Sequence, residues 1–329
     1  MPVPRFRSRA CFTLAGLTLC ASGALAQQVD LTPRLEPGTD HRFKVESRSS
    51  ITRSIPDLDQ NLSQTTDLVF YMTRRIDSAE GDSIDAKLVF DRIVFRTQEP
   101  NLIGELEDVE YDTGLRDPES GERRGRSTLA QTEFVAMQYA EIFEPLIGNA
   151  IEIRLDSSGR ILDVHIPETV GDASLFSTEM IKDRFLPLFQ VHPEGGQHEV
   201  GAEWKQTSSQ DSGLGFDIVS DIEWRLIGLQ ENRARIGVRN SFSVGKVERD
   251  TGMGLRESSG DGEVIWNTQL GILDELISSQ SIQMGGRPPE VGGAEISLSV
   301  RSRIRISRHA EPWPVPEGDP NGERDAPQH

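Results

Sequence analysis

The stretch Ile296-Ser297-Leu298-Ser299-Val300-Arg301-Ser302-Arg303-Ile304-Arg305-Ile306 decides the fold. Successive side chains of an extended chain point to opposite faces. Ile296, Leu298, Val300, Ile304 and Ile306 therefore share one face, and Ser297, Ser299, Arg301, Arg303 and Arg305 share the other. One face carries three cations and belongs in water, while the other belongs on a core. Ala234, Ile236, Val238, Phe242 and Val244 repeat the pattern, as do Leu68, Phe70 and Met72, and then Ile84, Ala86, Leu88 and Phe90.

Turn residues separate these runs. Ser78-Ala79-Glu80-Gly81-Asp82 lies between two of them, and Asp156-Ser157-Ser158-Gly159 lies between Ile151-Ile153-Leu155 and Ile161-Leu162-Val164-Ile166. Each ends near a glycine that can take positive φ, as longer hairpin loops require. The expected fold is mainly β: antiparallel, curved sheets or half-barrels in two related halves, with one or two covering α-helices.

Two segments break the rhythm. Ser127 or Thr128 can cap a helix over 128–144 carrying Leu129, Ala136, Ala140 and Phe143 on one stripe. A second helix is expected over 172–187, starting after Asp172 and ending or kinking at Pro187, which costs a helix interior about 3 kcal/mol. Residues 107–126 read as a charged loop. The tail over 310–329 is proline-rich and acidic, with too little apolar content to order itself.

Residues 1–26 have the layout of a secretory signal. Arg5, Arg7 and Arg9 are followed by an apolar run, Cys11 to Leu19, and a small-residue cleavage site, Ala24-Leu25-Ala26. The run is too short to span a bilayer. Leu19 stands where a lipoprotein signal wants a small residue before Cys20. The expectation is a soluble, exported chain, periplasmic or extracellular, with no stable membrane insertion after cleavage. Both cysteines lie inside this leader, so thiol catalysis, disulfides and thiolate metal sites are excluded from the remainder. Removing three arginines and no acid takes the formal charge from −18 to −21. Such an excess of acid argues against nucleic acid and anionic membranes as partners.

The remainder divides into a first β-rich half over 27–190 and a second over 191–309. The halves look alike. Gly38-Thr39-Asp40-His41-Arg42-Phe43-Lys44 matches Gly201-Ala202-Glu203-Trp204-Lys205, Asp67-Leu68-Val69-Phe70 matches Asp221-Ile222-Glu223-Trp224, and Ile161-Leu162-Asp163 matches Ile272-Leu273-Asp274. Their order is the same, which suggests an internal repeat.

At Val200-Gly201-Ala202-Glu203-Trp204, after His192-Pro193-Glu194, the chain resembles a family of bacterial secreted proteins of unknown function. The same resemblance takes in a glycine-marked hairpin, Gly148-Asn149-Ala150-Ile151-Glu152-Ile153 with Asp156-Ser157-Ser158-Gly159. It covers residues 36–306 and implies no catalytic residues. In outline the chain is similar to the half-barrels of periplasmic lipoprotein carriers, in which an antiparallel sheet wraps helices around an apolar hollow; architecture does not fix function.

Chemistry-bearing constellations are sparse. His192 and His198, with Glu194 between them and Glu199 after, are the only clustered ligands of metal type, and a spacing of six suits neither a helix face nor the usual histidine pair. They read as weak metal candidates on a polar connector. Asp57-x-Asp59-x-Asn61 opens like a calcium loop, but Leu62 and Leu68 occupy the glycine and final carboxylate positions. No nucleophile elbow, no Ser-x-x-Lys and no phosphate loop is present, so no catalytic residue and no cofactor is assigned. Trp204, Trp224 and Trp266 read as core anchors or as the lining of a ligand hollow. The leading expectation is non-catalytic binding of an apolar ligand or an envelope protein. A structural or assembly factor acting through sheet edges comes second, and an uncatalogued hydrolase third.

Overall fold

The computed structural model describes residues 27–55, 60–100, 106–116, 123–127, 139–171, 181, 185–211, 216–247, 252–288 and 294–313. The expected leader lies outside the described residues, as do 128–138 of the first expected helix and 314–329 of the tail.

Fifteen strands occur among the described residues: β1 Gln28–Asp30, β2 Asp40–Ile55, β3 Gln60–Glu80, β4 Ser83–Pro100, β5 Leu106–Arg116, β6 Arg123–Ser127, β7 Ala150–Asp156, β8 Ile161–His165, β9 Gln197–Glu199, β10 Glu203–Asp211, β11 Phe216–Gln230, β12 Arg233–Val247, β13 Met253–Asn267, β14 Ile272–Gly286 and β15 Ile296–His309. Thirteen form one antiparallel sheet ordered β10-β11-β12-β13-β14-β15-β2-β3-β4-β5-β6, with β7 and β8 branching from β4. The sheet is not closed into a barrel. The first part of β4 pairs with β7 (Ser83↔Asp156 to Val89↔Ala150), and its last part pairs with β5. β1 and β9 make a separate two-stranded ribbon.

Both halves of the chain belong to this one sheet, joined where β15 pairs with β2 from Ser297↔Ser54 to His309↔Arg42. The run β2-β3-β4-β7-β8 and the run β10-β11-β12-β13-β14 are both five-stranded antiparallel meanders. The sequence matches fall in step. Asp67–Phe70 and Asp221–Trp224 lie on the second strand of each run, and Ile161–Asp163 and Ile272–Asp274 lie on the fifth.

Register fixes an inner and an outer face. Leu226, Ile236, Val264, Leu276, Ile306, Val45, Phe70 and Ile93 stand opposite one another in turn across eight strands, and all are buried. This row is the floor of the core. Val29, Leu31 and Leu35 from the N-terminal segment cover it, with Phe185, Leu188, Phe189 and Val191 from the connector. Phe185 meets Phe70 and Phe90 edge-on, at 6.5 and 6.3 Å between centroids. Each such aromatic burial removes enough apolar surface to stabilise the fold by about 1.5–3 kcal/mol. The covering segments are tied down by backbone bonds, Leu31 N–H to Gly196 O at 2.8 Å and Arg34 N–H to Gly271 O at 3.0 Å.

Several local expectations need correction. Residues 106–116 and 123–127 are strands rather than a charged loop. Val109, Tyr111 and Thr113 point inward and are buried, while the alternate acids meet arginines on β4: Asp112 pairs with Arg92 and Glu110 with Arg96. The charges that suggested a loop are the outer face of a strand. The loop expected over 78–82 is a two-residue turn, Gly81-Asp82, with the pairing carried through Glu80↔Ser83. Of the second expected helix, 172–180 and 182–184 lie outside the described residues; a short helix, Glu168–Gly171, stands ahead of Asp172. Pro187 does end helical structure, sitting in the 3-10 turn Leu186–Leu188. Of the first helix, 139–143 are helical and lead into a second 3-10 turn, Glu144–Leu146. The tail is held at its start. Trp313 packs on Tyr71 at 5.1 Å between centroids and donates its indole N–H to Asp91 at 3.0 Å.

Candidate functional site

Two further inner rows lie beside the core floor, on the side toward the β2–β3 turn. The first runs Trp204, Trp224, Val238, Gly262, Ser278, Ile304, Ser47, Leu68, Phe95 and Tyr111. The second runs Gln206, Ile222, Asn240, Gly260, Gln280, Ser302, Ser49, Thr66, Thr97 and Val109 in the same register. Neither row contains an ionisable acid or base apart from the Tyr111 phenol. Beyond them, Ser258, Ile282, Val300, Ile51 and Gln64 continue the uncharged surface. It is half-buried, and Ile51 and Val244 on it are 38% and 42% exposed.

At the β10 end this surface finishes in an aromatic column. Trp204 and Trp224 are direct cross-strand neighbours with parallel rings, 6.1 Å between centroids and 4° between planes. His192, from the connector, lies edge-on to Trp204 at 4.7 Å, and His198, from β9, lies 3.8 Å from His192. The connector is folded so that each imidazole is held by backbone. His192 Nδ1 accepts from the Glu194 N–H at 3.2 Å, and His198 Nε2 donates to Gly195 O at 2.5 Å. Burial, and then the neighbouring His198, push the His192 pKa down to about 4 despite Glu194. His192 is therefore a neutral ring at ordinary pH, suited to packing against indole.

The structure brings four of the five candidate residues together and separates the fifth. Trp266 lies on β13 opposite Ala234 and is wholly buried in the core. Trp224 is buried as well, at 8% exposure, and Trp204 is half-buried. The indole N–H groups of Trp224 and Trp266 have no hydrogen-bond partner among the described residues. Among those residues there is also no group of three or more potential metal ligands. The two imidazoles pack in the aromatic column, each with one ring nitrogen hydrogen-bonded to backbone.

Sequence reasoning missed Arg74. It is fully buried on the inner face of β3, opposite His41, and donates from Nη1 to Leu188 O. Its guanidinium lies 5.8 Å from the ring centroids of both Phe43 and Phe189, while Nε and Nη2 have no partner among the described residues. Burial, then the charge of Arg308, lower its pKa to about 9. The signal was available, because Phe70, Met72, Arg74 and Ile76 fall on one face of a single alternation.

No family model matches the chain, and no curated protein matches it. Among solved structures it is similar to Pseudomonas aeruginosa OccK7 (OpdD), at 7% identity over 83% of this chain and 99% of that one, with a TM-score of 0.24. It is also similar to Pseudomonas aeruginosa OccK11 (OpdR), at 6% identity over 86% and 100%, with a TM-score of 0.16. Likenesses this slight carry no argument about what the chain does. The fold itself defines the class, a mainly antiparallel β protein built on one large open sheet.

Proposed function

We propose that the protein is an exported, non-catalytic binding protein that takes an uncharged, amphipathic ligand on its inner face. The observation that carries the reading is the charge asymmetry of the sheet. The two inner rows beyond the core floor cross ten strands without a carboxylate, ammonium or guanidinium. The chain as a whole carries 53 acids and 35 bases. A solvated sheet face in such a chain is normally charged, so an uncharged, half-exposed one is suited to a ligand with apolar and hydroxyl or amide groups. Trp204 supplies an aromatic wall, and Gln206, Asn240 and Gln280 supply hydrogen bonds without charge. Export is supported by the layout of residues 1–26. The two matching meanders support reading the halves as copies of one unit.

A sheet-edge assembly role has the outer side of β10, which pairs only with β11 among the described residues. Glu203 and Lys205 there are the kind of edge charges that discourage strand addition, so we place that reading second.

The test uses the full chain with N-phenylnaphthylamine and with octyl glucoside below its micelle concentration. Binding on the inner face should shift tryptophan emission and raise the melting temperature by mass action. Ile282→Asp, at a half-buried position of the uncharged surface, should abolish both responses while the chain remains folded. An unshifted emission and an unchanged melting temperature with both probes would overturn the reading.

A further inference from the structure

On the outer face, register builds a row of charges across the sheet: Lys205, Glu223, Arg239, Asp261, Ser279, Arg303, Arg48, Asp67, Arg96 and Glu110 are successive cross-strand neighbours. Signs alternate along it, as cross-strand energetics favour. Lys205 meets Glu223 at 2.5 Å and Arg96 meets Glu110 at 2.9 Å. The alternation fails in one place. The uncharged Ser279 follows Asp261, and beyond it Arg303 and Arg48 face each other directly. Like charges directly opposite are destabilising. Arg301, two residues from Arg303 on the same face, adds a third cation.

Arg301 and Arg303 are exposed and make no ion pair among the described residues, and Arg48 has only a long contact with Asp67, at 3.5 Å. The three arginines line a depression of about 380 Å³ together with Ser50, Ser259, Ser279 and Ser281. In a chain of net charge −18 this is a local surplus of cation. Its donors are guanidinium forks and hydroxyls, the set that suits a tetrahedral oxyanion. Asp261 also lines the depression, beside Arg239 across the strand pair, and there it can accept from a hydroxyl of the group that carries the oxyanion.

We propose that this break in the charge row is a binding site for a phosphomonoester. The phosphate oxygens lie between Arg301, Arg303 and Arg48, over the uncharged Ser279. The depression is several times larger than a phosphate group and accommodates the alcohol part as well. The site lies on the opposite face from the proposed ligand surface, so each stands or falls separately.

The test is the melting temperature of the full chain with inorganic phosphate and with glycerol phosphate, each against sodium chloride at equal ionic strength. Both should raise it, glycerol phosphate more. R301Q/R303Q should weaken glycerol phosphate binding at least about tenfold, since charge-assisted bonds are lost from an exposed site whose variants remain folded. R303E should place an acid opposite Arg48, raising the basal melting temperature and removing the phosphate response together. Phosphatidic acid vesicles, compared with phosphatidylcholine vesicles, identify the source: co-sedimentation competed by glycerol phosphate marks a lipid headgroup, and its absence marks a soluble ester. A phosphate response no larger than that of chloride, or one that persists in R301Q/R303Q, would overturn the proposal.

Discussion

His192 and Trp204 meet edge-on, 4.7 Å apart, although twelve residues and a strand separate them in the chain. The contact joins the connector to the first strand of the second meander, and it makes the stability of that junction depend on a neutral imidazole.

Stability should therefore fall as pH falls. His192 has a folded-state pKa of about 4, below the ordinary 6.5. Between those values the unfolded chain takes up a proton that the folded one refuses, so unfolding is favoured progressively from pH 6.5 down to about 4. His41 acts in the same direction, its pKa also held at about 4 by burial and then by Arg74 and Arg308. Chemical denaturation at pH 7 and pH 5 measures the sum, and His192→Asn should flatten the dependence.

The tryptophans should separate into two kinds. Trp266→Leu removes a wholly buried ring from the core and should cost about 3 kcal/mol or more, as large buried aromatic truncations do. Trp204→Leu acts at a half-buried wall and should cost about 1–2 kcal/mol. Equal losses in thermal denaturation would show that Trp204 is packed as tightly as Trp266.

Much of this architecture can be read in the chain, and the unreadable parts have physical causes. β15 is legible because its solvent face is uniformly serine and arginine, so the period of two stands out. β5 is not, because Asp108, Glu110 and Asp112 crowd the same residues as Val109 and Tyr111, and only a partner strand carrying Arg92 and Arg96 shows why the acids are there. The similar stretches of the two halves are sparse identities in the sequence, and their placement on the second and fifth strands of the two runs depends on β4 turning from β7 to β5, which no local pattern encodes. His192 and His198 were singled out as a pair, but their stacking on Trp204 depends on how the glycine-rich connector folds. The outer charge row and its break at Ser279 exist only in the register of ten strands.

Arg74 should be replaceable by an apolar side chain. A buried guanidinium with two nitrogens unpartnered carries most of its desolvation cost and recovers little of it through one carbonyl and two aromatic faces. Arg74→Met keeps an unbranched apolar stem and removes the buried charge. It should be neutral or stabilising by about 1–3 kcal/mol in denaturant titration. A clear destabilisation would mean that the guanidinium is satisfied in solution by something beyond Leu188 O.

The two hairpins that close the meanders should resist substitution for a shared reason. Gly159, between β7 and β8, has φ +84°, and Gly271, before β14, has φ +59°. Each also lies against another segment. A Cβ on Gly159 would stand 2.6 Å from Phe189 O, and one on Gly271 would stand 2.5 Å from the backbone nitrogen of Arg34. Gly38 has a similar φ of +77° with nothing within 4 Å of such a Cβ, so it isolates the conformational cost. Gly38→Ala should cost about 1 kcal/mol, the ordinary penalty for positive φ. Gly159→Ala and Gly271→Ala must also push the connector or the N-terminal segment off the core, and should cost about 2–4 kcal/mol. In the Gly271 variant the Arg34 N–H to Gly271 O bond should open, exposing the segment around Leu31 and Leu35 to hydrogen exchange. If all three variants melt together, the covering segments yield freely and do not hold the core closed.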